Sequence, residues 1–169
     1  MPAIVAQNVE QGLLLLSDLG TTTYLQRLDV DNAPFMYSDA VDALIRFQLH
    51  SAPGVLPEFD RAFVERELGI FTEWYVGRHL GVTLGGKQAA QLQSVFDAIT
   101  ANVLAQQQVF MHRDFHSRNL MFLDQHNPGV IDFQDAVYGP VTYDLASLLR
   151  DAYIQWDEDM VLDWVVRYW

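Results

Sequence analysis

Apolar positions recur at helical spacing along most of the chain. Val41, Leu44, Ile45 and Leu49 form one stripe, with Ser38 as its N-cap and Pro53-Gly54 as its stop. Val64, Leu68, Phe71 and Tyr75 form a second, which reads as a core stripe. Leu92, Val95, Phe96, Ile99 and Val103 form a third, predicting a helix of about 17 residues. Elsewhere the period changes. "LLLLSDL" (13–19) is a continuous apolar run that ends in a polar turn and Gly20; it reads as a buried strand, although periodicity alone leaves a helix open. Residues 21–38 are polar and interrupted by Pro34, which predicts irregular structure with one helical turn. After the third stripe come "VFMH", "NLMFLD" and "GVIDF", with the turn chemistry of "QHNPG" between the last two, as in a small hairpin carrying polar loops. "YGPV" breaks the chain. Thr142 then caps a helix that buries Leu145, Leu148 and Leu149, and a last helix buries Val161, Trp164, Val165 and Tyr168. The order predicts an α+β fold dominated by helix, not an alternating parallel sheet.

With 169 residues, half of them apolar, the chain is large enough for one well-packed domain. Its formal charge of −12 repels nucleic-acid backbones, so nucleic acid is not an expected partner. The same charge means that a nucleotide enzyme built on this chain needs metal ions, or a basic segment elsewhere, beside its phosphates. No apolar run approaches the roughly 20 residues of a bilayer span, and "MPAIVAQNVEQG" lacks the basic start and apolar stretch of a signal peptide. The absence of cysteine removes disulfides and thiolate metal sites and fits a reducing compartment. A cytoplasmic protein without a membrane partner is the expectation. "AIVAQ" opens inside an apolar run without a cap, and "VLDWVVRYW" ends on an amphipathic pattern without a stop, so a segment of a longer protein is expected.

The chemistry concentrates in "FMHRDFHSRNLMFLD" (110–124), which sets His112, Asp114, His116 and Asn119 between apolar runs. If the stretch is an extended strand, His112, Asp114 and His116 share a face, and two imidazoles with a carboxylate suit the zinc or iron of a hydrolase. Phosphoryl transfer needs a group to orient and deprotonate an alcohol, and oxygen ligands for magnesium. Asp114 can serve the alcohol, and Asn119 and Asp132 offer a neutral and an anionic oxygen. A hairpin between them would let the three converge.

"HRDFHSRN" followed by "IDF" resembles the catalytic loop and metal-binding segment of the protein-kinase-like superfamily, in the form found in the aminoglycoside phosphotransferase and choline kinase group. His116 stands two residues after Asp114, as a His does in that group, and "TYDLASLLRD" resembles the helix start that follows its metal segment. The resemblance runs from about Leu13 to Trp169. It implies ATP and Mg2+, with Asp114 as catalytic base, His116 near the transferring phosphoryl group, and Asn119 and Asp132 as metal ligands. It also implies that His112 and Asp144 support the loop. "LLLLSDLG" resembles the last small-lobe strand and hinge, where the backbone near Leu16, Ser17 and Asp18 would meet adenine. Residues 1–20 would then be a remnant of the small lobe and hinge, and 21–169 the helical large lobe. "EQGLLLLSDLG" and "QDAVYGPVTYDLASLLRDAYIQWDED" are similar to bacterial kinases of the anomeric hydroxyl of N-acetylmuramate and N-acetylglucosamine, enzymes of cell-wall recycling. An amino sugar is thus the implied acceptor, with an aminoglycoside or choline as alternatives.

The chain departs from this pattern in lacking the glycine-rich phosphate loop and small-lobe lysine. Its one lysine, Lys87 in "LGGKQ", lies at a helix entry. Weak or absent turnover is expected of this segment, and a non-catalytic nucleotide or sugar binder is a further alternative, beside the metal hydrolase. Glu73 and Trp74 fall off the second stripe and are candidates for the acceptor pocket, an aromatic ring for a sugar face and a carboxylate for its hydroxyls. The resemblance adds Asp151, Trp156 and Asp157 as acceptor contacts. Asp135 reads as a solvated loop carboxylate, and His50, His79 and His126 as surface or turn residues.

Overall fold

A computed structural model describes all 169 residues. Two strands, β1 (Ile4–Asn8) and β2 (Leu13–Leu16), form an antiparallel hairpin. Helices α1 (Tyr24–Arg27), α2 (Ala33–Leu49) and α3 (Arg61–Ile70) follow, then π-helical turns over Phe71–His79 and α4 (Gly86–Ala105). Four short strands come next: β3 (Gln108–Met111), β4 (Leu120–Met121), β5 (Gly129–Val130) and β6 (Val137–Pro140). Helices α5 (Tyr143–Leu149) and α6 (Glu158–Tyr168) close the chain. No helix is long and apolar enough to cross a membrane. The helix-dominated α+β expectation holds.

The core is built around α2. Ala33, Met36, Tyr37, Ala40, Val41, Leu44 and Gln48 are buried along it, at steps of three and four that make one face. Against this face pack Tyr24, Phe115 and Leu120, the α5 residues Leu145, Leu148 and Leu149, and the α6 residues Val161 and Trp164. Each such side chain withdrawn from water contributes roughly 1.5–3 kcal/mol before conformational entropy is counted. Trp164 stacks on Tyr37 with ring centroids 4.1 Å apart, and Trp156 meets both rings edge-on. A second cluster joins Phe59, Val64, Met111 and Val137 beneath the β3–β6 pair.

Several expectations are corrected. Pro34 does not break structure but sits in the first turn of α2, where its missing N–H has no helical partner to lose. Asn32 rather than Ser38 precedes that helix, and Asn32 and Asp29 hold the turn before it through side-chain bonds to backbone N–H groups. Leu49 is exposed. β3 does not join the hairpin; it pairs with β6, so "VYGP" is a strand, and only β4 and β5 form the hairpin around "QHNPG". Thr142 precedes α5 as expected, yet its hydroxyl donates to Gln106 Oε1 instead of capping the helix. The run Leu13–Leu16 is a strand, but an exposed one, because a two-stranded ribbon has two faces and no other layer of this chain covers either. Phe71 and Tyr75 are exposed and stack on each other, and Val95 and Ile99 of α4 are exposed as well.

Candidate active site

Three local structures bring the polar residues of 110–135 together. The first is the β4–β5 hairpin. Its register pairs Leu120 with Val130, and the ladder continues one step where Ile131 N–H donates to the Asn119 carbonyl at 3.1 Å. Asn119 and Asp132 therefore leave the hairpin side by side. The Asn119 amide nitrogen donates to the Asp114 carbonyl at 3.0 Å and lies 3.4 Å from Asp132 Oδ2. That one amide ties the three segments into a single cleft edge, on which both the Asp114 and the Asp132 side chains are exposed.

The second structure is the turn at Arg113. Arg113 (φ 78°) and Asp132 (φ 65°) adopt the left-handed region, which costs a non-glycine residue about 1–3 kcal/mol. At Arg113 the compensation is visible. Asp144, buried at the start of α5, accepts the N–H of His112 at 2.6 Å and of Arg113 at 3.0 Å. Asp132 is held by Gln134, whose amide donates to Oδ1 at 2.8 Å.

The third is His112. Its Nε2 lies 2.9 Å from the Ile131 carbonyl and its Nδ1 accepts the Asp114 N–H at 3.3 Å, a pattern that fits the neutral Nε2–H tautomer. Burial pushes the imidazole below its ordinary value, outweighing the backbone bond and the charges of Asp114 and Asp132, which raise it. Asp144 moves the other way. Burial lifts its carboxyl to about 6, the neighbouring Asp114 adds to the rise, and the two N–H donors oppose it.

This geometry does not form the two-histidine metal cluster. Residues 112–116 are a loop, not a strand; both nitrogens of His112 are engaged, and no group of three His, Asp or Glu side chains is arranged to hold an ion. Asn119 and Asp132 do suit a hard cation in another way. The bonded atom of Asn119 is its amide nitrogen, its oxygen takes no partner in the chain, and the Asp132 carboxylate stands across the same end of the hairpin; two protein oxygens of this kind leave positions for phosphates and water.

The remaining candidates divide. His116 sits beside Asp114, with Nδ1 buried and unpartnered and its ring edge-on to Tyr153 at 5.6 Å. Ser17 is committed to Ala3 through both its N–H and its hydroxyl oxygen, at 2.8 Å each, whereas the backbone of Asp18 makes no bond within the chain; Leu16 pairs with Ile4. The segment that follows lies against β4, through a Thr23–Met121 bridge and a bond from Phe122 N–H to the Thr22 carbonyl. Glu73 pairs with Arg78, whose guanidinium lies 3.8 Å from the Trp74 ring, on the surface of the π-helical turns. The Trp156 indole donates to Tyr37 Oη at 2.8 Å and meets its ring edge-on, at the border of the aromatic core. Asp157 precedes α6, and its side chain makes no capping bond. Asp151 bonds backbone N–H groups of Ser117 and Tyr153. Gln134 and the half-buried Arg113–Glu67 pair at 3.3 Å were not anticipated. The Gln134 spacing, two residues after Asp132, was the one local signal available; the Arg113–Glu67 contact spans 46 positions and left none.

The model of the phosphotransferase enzyme family matches residues 1–169. An N-acetylmuramate/N-acetylglucosamine kinase of Pseudomonas aeruginosa is 49% identical over 169 residues, all of this chain and 50% of the relative. A kinase of the same name from Neisseria meningitidis is 44% identical over 173 residues, covering 100% of this chain and 52% of that protein. The chain thus spans about half the length of the curated relatives it matches. Among solved structures, the ADP-bound aminoglycoside phosphotransferase APH(2'')-Ib superposes with a TM-score of 0.67 at 16% identity, over 99% of this chain and 59% of its own. The choline kinase LicA from Streptococcus pneumoniae gives 0.67 at 13% identity, over 99% and 56%. These two likenesses carry the fold, and the match along the whole chain carries the kinship: the chain belongs to the phosphotransferase enzyme family.

Proposed function

We propose that this chain is the large-lobe part of a kinase that transfers the γ-phosphate of ATP to a hydroxyl of an amino sugar, of the N-acetylmuramate or N-acetylglucosamine type. The observation that carries it is the Asn119 amide, which joins the Asp114 and Asp132 segments at 3.0 and 3.4 Å. Asp114 orients the acceptor hydroxyl and takes its proton on a carboxylate oxygen. The acceptor oxygen bonds to the γ-phosphorus as the bond to the ADP oxygen breaks. Asn119 Oδ1 and the Asp132 carboxylate would hold magnesium. When bound, the ion offsets phosphate charge and aligns the nucleotide. His116 stands beside the phosphoryl group, and neutral His112 with Asp144 keeps the loop in shape. The free backbone at Asp18 supports a hinge that meets adenine, with residues 1–20 as small lobe and hinge and 21–169 as large lobe. The exposed apolar hairpin β1–β2 supports that division, since such a face is suited to burial under another layer. The amino-sugar acceptor rests on the relatives at 44–49% identity.

The test is a nucleotide-consumption assay on the full gene product carrying this chain. The panel holds N-acetylmuramate, N-acetylglucosamine, an aminoglycoside and choline, with Asp114→Asn as control. The amino sugars turn over, and the Asn variant loses on the order of 10²–10⁴ in rate. An Asn variant at full rate removes Asp114 from its role, and preference for the aminoglycoside or choline overturns the acceptor.

A further inference from the structure

Asp151 lies just past α5, in the turn that leads to α6, with a half-buried side chain. Its two oxygens face in different directions. Oδ2 accepts the Ser117 N–H at 2.9 Å, across 34 positions of sequence, and Oδ1 accepts the N–H of Tyr153 at 2.9 Å. Ser117 is buried in the middle of the loop, between His116 and the Asn119 segment, and its carbonyl takes the Leu25 N–H. The Tyr153 ring meets His116 edge-on and lies 4.8 Å from the Arg118 guanidinium. One carboxylate thus fixes the loop backbone at Ser117 and orients the turn whose aromatic ring faces His116.

We propose that Asp151 is a positioning residue for phosphoryl transfer, holding the middle of the loop as Asp144 holds its start. The two carboxylates stand at opposite ends of α5, so one short helix sets the loop at both points. Asp151 acts through Ser117 and His116, not as an acceptor contact. The catalytic half of this proposal rests on the kinase reading above; the structural half does not.

The test has two arms on the full gene product, with Asp151→Asn and Asp151→Ala. Amide hydrogen exchange reads the clamp directly. The Ala variant loses protection at Ser117 and Tyr153, while His112 and Arg113, held by Asp144, stay protected. The Asn variant keeps one accepting oxygen and loses protection at one of the two amides. Steady-state kinetics read the consequence. The Ala variant loses about 10- to 100-fold in kcat, the Asn variant less, with KM for ATP and for the acceptor little changed. Unchanged exchange at Ser117 overturns the clamp. Lost protection with an unchanged kcat, or a loss confined to acceptor KM, overturns the positioning role. A parent without turnover on any acceptor sinks the kinase reading and the catalytic half with it, and the exchange arm alone then decides the clamp.

Discussion

The Asp144 carboxylate accepts the backbone N–H of His112 at 2.6 Å and has no cation within reach to balance its charge. Burial raises its affinity for a proton, bringing it to about 6, while an unfolded Asp titrates near 3.9. An acid raised in this way favours the fold while protonated. Its contribution is complete below about pH 4 and lost as pH rises through about 6. Asp144→Asn does not titrate. The stability of the parent relative to this variant therefore falls between pH 4 and pH 6.5, by on the order of 2–3 kcal/mol. Denaturant unfolding of both proteins at four pH values checks it; a pH-independent difference removes the perturbed Asp144 from the account.

Asn119 and Asp132 make a separate prediction that needs no turnover. Asp132→Ala removes the anionic oxygen, and Asn119→Leu the neutral one, while both positions lie at the open end of the hairpin, away from the main core. Magnesium titrated in the presence of a nucleotide binds each variant at least about 10-fold more weakly than the parent; thermal stability is nearly unchanged in Asp132→Ala and falls by about 0.5–1.5 kcal/mol in Asn119→Leu, which also loses the amide bond to the Asp114 carbonyl. Equal magnesium affinity in both variants places the metal elsewhere.

Where the chain carries its own local rules, the sequence was legible. The two-residue strands of the hairpin flank "QHNPG" as turn chemistry requires, and α6 buries Val161 and Trp164 on the stripe read from its spacing. The α+β class followed from the same signals. Long-range pairing was not legible: β3 finds β6 across nearly thirty residues, and a strand ending in Gly-Pro reads as a break until an edge position is available for it. Burial was misread wherever a stripe needed a partner surface. Leu13–Leu16, Val95 and Ile99 have core chemistry and no covering layer within this chain. Motif spacing pointed to Asp114, Asn119 and Asp132, whose segments the Asn119 amide joins, but the bonds of Asp151 to the Ser117 N–H and of Gln134 to the Asp132 carboxylate rest on geometry that spacing does not encode.

Gly139 lies in β6 opposite Val109, where an added Cβ would come to 3.0 Å from Phe59 Cβ and from Met111 Sδ and Cε. Methionine can move its end, but a Cβ is fixed to its backbone, so the second cluster has to open. Gly139→Ala lowers stability by about 1–3 kcal/mol, seen as a lower midpoint in thermal unfolding. A midpoint at or above that of the parent shows that the β3–β6 pair yields without cost.

Trp156 separates an acceptor contact from a core residue. Its indole N–H donates to the hydroxyl of Tyr37, a ring 1% exposed and stacked on Trp164. Phenylalanine at this position keeps an aromatic edge for the cluster but removes the donor, leaving a buried hydroxyl short of one partner. That loss is about 1–3 kcal/mol for a buried polar group. Trp156→Phe therefore lowers unfolding stability by that order and, in the full gene product, leaves the KM for the proposed amino-sugar acceptor unchanged. If the side chain instead lies against the sugar, the pattern inverts: KM rises several-fold while the unfolding midpoint stays where it was. The two readouts move on different variables, so a single variant decides between a Trp that holds α6 to α2 and one that recognises the acceptor.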